Sequence, residues 1–345
     1  MCSHTRSANM GLAVFAVVII TLLPGSRSAT AQEPVIADHT RTVLSDIPAP
    51  WIEVAKDRWR LSYGHTSHGS QIVSGMNVIR GTAGSLYWWD HDGTAGGLSL
   101  WDYTPSGDLG NPDRVTWEAR TRTLLGDPGA PACDRNMVMW SWCGQADTSE
   151  ENMQIYLDLM SGLVADYPDV TFIYMTGHLN GSGEEGNLHA RNNQIRDHVI
   201  ATGGVLFDFA DIESYNPDGD YFRDLYAEDD CDYWVEGVKY NWADEWCAAH
   251  PGNELCETCS CAHSRPLNCN LKARAFWWMI TTLAGWPGDF NQDDSIDLED
   301  FALFQACFAG SGSGVPTGCE LMDVDGDEDV DLDDFNDFQA SFVGP

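Results

Sequence analysis

Residues 59–72 read W-R-L-S-Y-G-H-T-S-H-G-S-Q-I. Trp59 to Tyr63 is strand-like, Gly64 to Gly69 is a tight turn crowding two histidines and two hydroxyls, and the sequence from Ser70 onward is compatible with a helix. A strand that turns sharply into a helix is the building unit of an α/β sheet, and its turn is where such a fold presents a nucleophile. Whether the turn is a site or a polar bend depends on what the rest of the chain places beside it.

Three more stretches carry the same sense. Asn136 to Trp142 is a short apolar run ending in Cys143-Gly144-Gln145. Thr148-Ser149-Glu150-Glu151 then caps a helix in which Met153, Tyr156, Leu157, Met160, Leu163 and Val164 recur at helical spacing. Val170 to Met175 is rich in β-branched and aromatic residues, ends in Thr176-Gly177-His178, and leads to a helix from about Leu188 to Ala201. Val205 to Phe209 is a fourth strand, and Asn270 to Leu283 a closing helix with Phe276, Trp277, Ile280 and Leu283 on one face. Strands alternating with helices predict a parallel sheet flanked on both sides, a three-layer α/β fold. The strand ends then present Ser67, Gln145, His178 and Asp208; Asp208 and Asp211 read as strand-end caps. Residues 32–56 read as a polar, extended lead-in, and 93–97 and 101–113 as turn-rich loop.

The chain has 345 residues, enough for two domains. Arg6, an apolar run from Gly11 to Leu23, and Ala29-Thr30-Ala31 have the form of a signal peptide cleaved after Ala31. The run is short for a membrane span and no longer one follows, so a secreted or cell-surface protein is expected. Of eleven cysteines, Cys2 falls in the leader; the even remainder in an oxidising compartment favours disulfides. Cys256, Cys259, Cys261 and His263 have zinc-ligand spacing, but the compartment favours disulfides over zinc. His65 and His68, together with His178, offer another metal-binding possibility. The formal charge of −35 argues against nucleic acid as a partner. Fourteen tryptophans are compatible with core or with a carbohydrate-facing surface.

The acidity is concentrated at the end, where residues 287–345 hold sixteen Asp/Glu and no Lys or Arg. Asp289, Asn291, Asp293, Ser295, Asp297 and Asp300 occupy positions 1, 3, 5, 7, 9 and 12 of a calcium loop, and Asp323, Asp325, Asp327, Asp329, Asp331 and Asp334 repeat it 34 residues later. Alternating oxygen donors suit a hard cation, so two calcium ions are expected. Each loop runs into a near-identical helix, from Leu298 and from Leu332. The repeat resembles a dockerin type I module, in which Asp at position 12 is usual. Position 6 departs from the pattern, with Asp294 and Glu328 where Gly is common, which lowers the expected affinity. The resemblance implies a cohesin-like or cell-surface protein partner. Cys307 and Cys319 bracket the linker and are expected to pair, stapling a module with little core of its own.

The larger part, residues 57–286, resembles the SGNH (GDSL-like) hydrolases, a class with a flavodoxin-like fold. Gly64-His65-Thr66-Ser67 stands where that class has its nucleophile, and His263 where a histidine precedes the last helix. The resemblance implies Ser67 as nucleophile, with Ser70 and Thr66 as competing candidates, and His263 as base. Gly144-Gln145-Ala146-Asp147 replaces a Gly-x-Asn-Asp motif, leaving Gln145 as the amide donor to an oxyanion. Ser260 stands where an Asp would orient the base, so Glu257, Asp244 or a backbone carbonyl is left for that role. His65, His68 and His178 would support the site. The implied reaction is hydrolysis of acyl esters on a polysaccharide. A non-catalytic carbohydrate-binding protein and a glycoside hydrolase are the alternatives.

Overall fold

The structure, a computed structural model, describes residues 34–47, 49–285, 288, 290–291, 296–319, 322–324, 327 and 329–342. The expected leader and loop residues Asp289, Asp293, Ser295 and Asp325 lie outside the described residues. The strands are β1 (Val35–Ala37), β2 (Arg60–Gly64), β3 (Trp89–Asp90), β4 (Leu98–Asp102), β5 (Gly126–Asp127), β6 (Ala130–Pro131), β7 (Met137–Trp140), β8 (Thr171–Met175), β9 (Val205–Phe207), β10 (Asp232–Val235) and β11 (Val238–Asn241). The helices are α1 (Ala49–Arg58), α2 (Ser70–Ile79), α3 (Thr116–Leu125), α4 (Glu150–Asp166), α5 (Asn187–Thr202), α6 (Phe209–Ile212), α7 (Trp242–Ala249), α8 (Pro266–Leu283), α9 (Leu298–Cys307) and α10 (Leu332–Phe342).

Seven strands form one sheet in the order β1-β9-β8-β7-β2-β4-β3, every neighbouring pair parallel. Its five central strands, β4-β2-β7-β8-β9, follow the doubly wound flavodoxin-like order. Because side chains alternate across a strand, each strand feeds two cores. Leu61, Tyr63, Met137, Met139, Ile173, Met175, Val205 and Phe207 face the layer containing α2 and α8. Val138, Trp140, Phe172, Tyr174 and Leu206 face the layer containing α3, α4 and α5. The expected three-layer α/β architecture is therefore present.

Two segments differ from their expectation. The lead-in supplies an edge strand, with Val35 opposite Val205, and a helix that buries Ile52 and Ala55 completely. Between the stretches read as loop, and reaching into the second at Trp101 and Asp102, lies β4, a sheet strand between β2 and β3. In both cases pairing with neighbouring strands overrides a locally weak pattern. The closing helix α8 also begins earlier than expected, with Pro266 in its first turn where the missing N–H costs nothing.

The C-terminal region is helical and has its own small core of Phe290, Phe304, Val324, Val330 and Phe338. Cys307 and Cys319 form the expected disulfide. The two halves repeat one hydrogen-bond pattern. Asp300 accepts the N–H groups of Phe290 (2.7 Å) and Asp297 (2.8 Å), and Asp334 accepts those of Val324 (2.6 Å) and Asp331 (2.7 Å). Each position-12 aspartate thus closes its own loop onto its own helix.

Candidate functional site

The site lies where the sheet reverses direction. From β2 the chain moves outward to β3 and β4, then returns to β7 on the other side of β2. The carboxyl ends of β2 and β7 border the crevice in which open α/β sheets bind ligands. Ser67 and His68 follow β2, and Cys143 follows β7. The turn after β2 is fixed by close packing. A Cβ on Gly69 would sit 2.2 Å from Ser141 Oγ and one on Gly64 would sit 2.5 Å from Trp140 Cε3, so neither position has room for a side chain. Tyr63 Oη donates to Gly69 O at 3.0 Å and holds the turn against its strand.

His68 is the centre of the site. Its Nε2 lies 2.8 Å from Asp229 Oδ2 and its Nδ1 lies 3.1 Å from Cys143 Sγ, which in turn lies 3.3 Å from Ser67 Oγ. The Asp229 carboxyl is held below its ordinary value. Burial, the largest influence, pushes it up, but the hydrogen bond to His68 and the charges of His178, His68 and Lys272 outweigh it. An ionised carboxylate can only accept, so Nε2 carries the proton and the Nδ1 lone pair faces the thiol. Burial holds His68 below the ordinary imidazole value, and the like charge of His178 adds to this against the pull of Asp229. The ring is therefore neutral at neutral pH, as a base must be.

Two more imidazoles sandwich that ring. His178 stacks on one face at 3.9 Å and 2°, and His263 stacks at 4.3 Å and 10°. His263 is exposed and has φ of 61°, a left-handed conformation that a β-carbon disfavours. A buried polar network holds the three loops together. Lys272 Nζ donates to Glu213 Oε1 at 2.6 Å and to Gln71 Oε1; Gln71 Nε2 donates to Ala262 O at 2.6 Å; Glu213 Oε2 accepts the N–H of Leu179 at 2.7 Å. It thereby joins α2, the His178 loop and the His263 turn.

The expected residues divide into those the fold brings together and those it does not. Ser67, His68, His178 and His263 share the cluster. His65 turns away, with Nε2 2.6 Å from Asp102 Oδ1 and Nδ1 2.8 Å from Thr66 O. Thr66 bonds to Asp108, and Ser70 Oγ donates to Ser67 O at 2.6 Å. The Gln145 carbonyl accepts the Cys143 N–H at 2.8 Å, so that end of the amide is spent on its own loop. Asp244 is paired with Arg265 at 3.0 Å, and the orienting carboxylate of the cluster is Asp229. Asp208 caps α6 and binds Arg196 at 2.6 Å, a structural role as expected.

Cys143 and Asp229 are the residues that sequence reasoning missed. The first had a signal, since it lies just past the buried strand β7, but in an oxidising compartment it reads as a disulfide cysteine. The second lies in an irregular segment and has none. Disulfides join Cys247 to Cys256 and Cys261 to Cys269, which dissolves the zinc-like spacing, while Cys133, Cys143, Cys231 and Cys259 are free. His68, His178 and Asp229 bring ligand atoms within 4.8 Å of one another. A zinc-like ion would need both rings' in-plane lone pairs aimed at one point roughly 2 Å away. In parallel stacked rings they run side by side, and His178 Nδ1 donates to Leu179 O at 2.7 Å. The two stacked rings therefore do not converge on a single ion.

A second acidic group lies in the C-terminal region. Asp329, Asp331 and Asp334, all buried, bring carboxylate oxygens within 4.8 Å of one another. Among the described residues, Asp329 Oδ1 is buried without a hydrogen-bond partner. Three like charges so close need a cation or protons, and residues 287–345 contain no Lys or Arg. Hard oxygen donors fit calcium. No protein-family model, curated protein or solved structure matches this chain.

Proposed function

We propose that the α/β domain is a secreted hydrolase that cleaves acyl esters by covalent catalysis, with a substituted polysaccharide as the natural substrate. The observation that carries this reading is the chain Cys143–His68–Asp229 at the switch point of the sheet, with Ser67 against it. An imidazole oriented by a carboxylate and facing a nucleophilic side chain is what acyl transfer requires. Ser67 and His263, the pair assigned from sequence, both border this chain. Attack by Ser67 with His263 as acid–base partner is the first form of the reading.

Turnover of p-nitrophenyl acetate tests it. His68→Ala and Asp229→Asn each lower the rate by roughly 100-fold or more while the unfolding midpoint stays near that of the wild type. Rates equal to wild type in both variants would favour a non-catalytic glycan-binding protein, a reading supported by the exposed Trp234 and Tyr240 on the β10–β11 ribbon. A glycosidase needs two carboxylates flanking one bond. Among the described residues, the cluster supplies Asp229 alone, already bonded to His68.

The C-terminal region is, in this proposal, a dockerin-like module that binds two calcium ions through Asn291, Asp297, Asp300, Asp323, Asp327, Asp329, Asp331 and Asp334 together with the loop residues beyond those described. Exposed Leu298 and Leu332, at 74% and 64%, would contact a cohesin-like protein.

A further inference from the structure

We infer that Cys143, rather than Ser67, is the attacking atom, so that the reaction passes through a thioester. This rests on the hydrolase reading and assigns its nucleophile. A serine hydroxyl needs a base within hydrogen-bond reach to attack at neutral pH. The contact made by Ser67 Oγ is to Cys143 Sγ, whereas Cys143 Sγ has the Nδ1 lone pair of an Asp-anchored imidazole at 3.1 Å. The serine is placed to donate a hydrogen bond to sulfur. The sulfur thus sits between Ser67 and His68, against the turn that leads from β2 into α2. Two of the other three free thiols among the described residues lie in different surroundings. Burial pushes Cys231 up to about 12 and Cys259 up to about 11, and neither has a base in contact.

The chemistry balances with water as the only co-reactant. His68 Nδ1 takes the thiol proton as sulfur bonds to the ester carbonyl carbon. The tetrahedral intermediate collapses by breaking the bond to the alcohol oxygen, which leaves with the proton from Nδ1. Water then attacks the thioester and gives its proton to Nδ1. The carbon–sulfur bond breaks, and the proton returns to sulfur as the acid is released. Asp229 keeps the ring turned throughout.

The test compares Cys143→Ala, Cys143→Ser and Ser67→Ala in the full chain. Turnover of p-nitrophenyl acetate should fall roughly 100-fold or more in both Cys143 variants, and less than about tenfold in Ser67→Ala. Protein quenched in acid during turnover should carry one acetyl group on the Cys143 peptide, released by neutral hydroxylamine. Independently of any ester, iodoacetamide should alkylate native Cys143 at least about tenfold faster in wild type than in His68→Ala. An acetyl group on Ser67, wild-type activity in Cys143→Ala, or a disulfide at Cys143 in the secreted protein would each overturn the assignment and leave the hydrolase reading standing. Wild type without turnover but with His68-dependent alkylation would remove ester hydrolysis and keep the activated thiol. Alkylation at equal rates in wild type and His68→Ala would overturn that activation.

Discussion

Lys272 has no exposed surface, and neither does its partner Glu213. Burial pulls the ammonium below its ordinary value and Glu213 opposes this, so the charge exists only because the pair does. Removing one member of such a pair strands the other in a low dielectric, at a cost of about 3–5 kcal/mol. Lys272→Met should therefore lower urea-unfolding stability by that order. Lys272→Met combined with Glu213→Gln should recover a substantial part of it, since no net charge then remains buried. A double variant as unstable as the single one would show that the network works through hydrogen bonding alone. Little in the local pattern marks this residue. Helix α8 reads as amphipathic, with Phe276, Trp277, Ile280 and Leu283 as its inner face, yet Lys272 and Arg274 are buried too. A helix covered on nearly every side hides its charged positions from periodicity. Ser67, His178 and His263 were legible because they stand at element ends. Cys143 and Asp229 acquire meaning only from the residue opposite them.

The elements that sequence placed well are the ones with continuous apolar character. Strands β2, β7, β8 and β9 and helices α4 and α5 fall where patterning put them, because each is buried on both faces or amphipathic along its length. Strand β4 was hidden by the glycines and prolines around it, and β1 by its three-residue length. What ties β1 down is informative. His39, just past its end, has Nδ1 2.5 Å from Asp211 Oδ2 on α6, donates its N–H to the same oxygen at 3.0 Å, and stacks on Tyr215 at 3.6 Å. Burial works to lower His39, but the bond to Asp211 and the charges of Asp211, Asp38 and Asp208 leave it above its ordinary 6.5. Asp211 is held below its ordinary 3.8 despite burial, by the bonds to His39 and then the charges of His39 and Arg196. A raised histidine contributes stability below its unfolded value and loses it as pH rises through its folded value. A lowered aspartate contributes above its unfolded value and loses it as pH falls through its folded value. The pair thus contributes fully between about pH 4 and 6.5. His39→Asn should remove this part of the pH dependence of the unfolding midpoint; an unchanged profile would show that the pair is not a net stabiliser.

Across the whole molecule the charge is divided rather than shared. Residues 287–345 hold sixteen of the 53 acidic side chains and none of the eighteen Lys/Arg, so this part must meet its own repulsion. Neighbouring arginines and lysines relieve Asp208, Asp232 and Glu213 in the α/β domain. In the C-terminal region, backbone N–H groups meet the carboxylates of Asp300 and Asp334, and a disulfide joins Cys307 to Cys319. The paired pattern at Asp300 and Asp334 explains how the fold is drawn before an ion is considered. Each carboxylate bonds the start of its loop and the start of its helix, positioning the loop and reducing the ordering left for the metal to impose. The buried trio Asp329, Asp331 and Asp334 is the part that a divalent cation would relieve. An ion that binds the folded form alone stabilises it by about 2.7 kcal/mol per site at one hundred times its dissociation constant. Calcium should therefore raise the unfolding midpoint of the C-terminal region and protect it from proteolysis, and a chelator should reverse both. Asp334→Asn should abolish the calcium-dependent part in the second loop while ester turnover by the α/β domain stays at the wild-type rate. Protection by magnesium equal to that by calcium would point to general screening of the acidic charge, because a smaller ion that keeps its water cannot use the same flexible ring of oxygens.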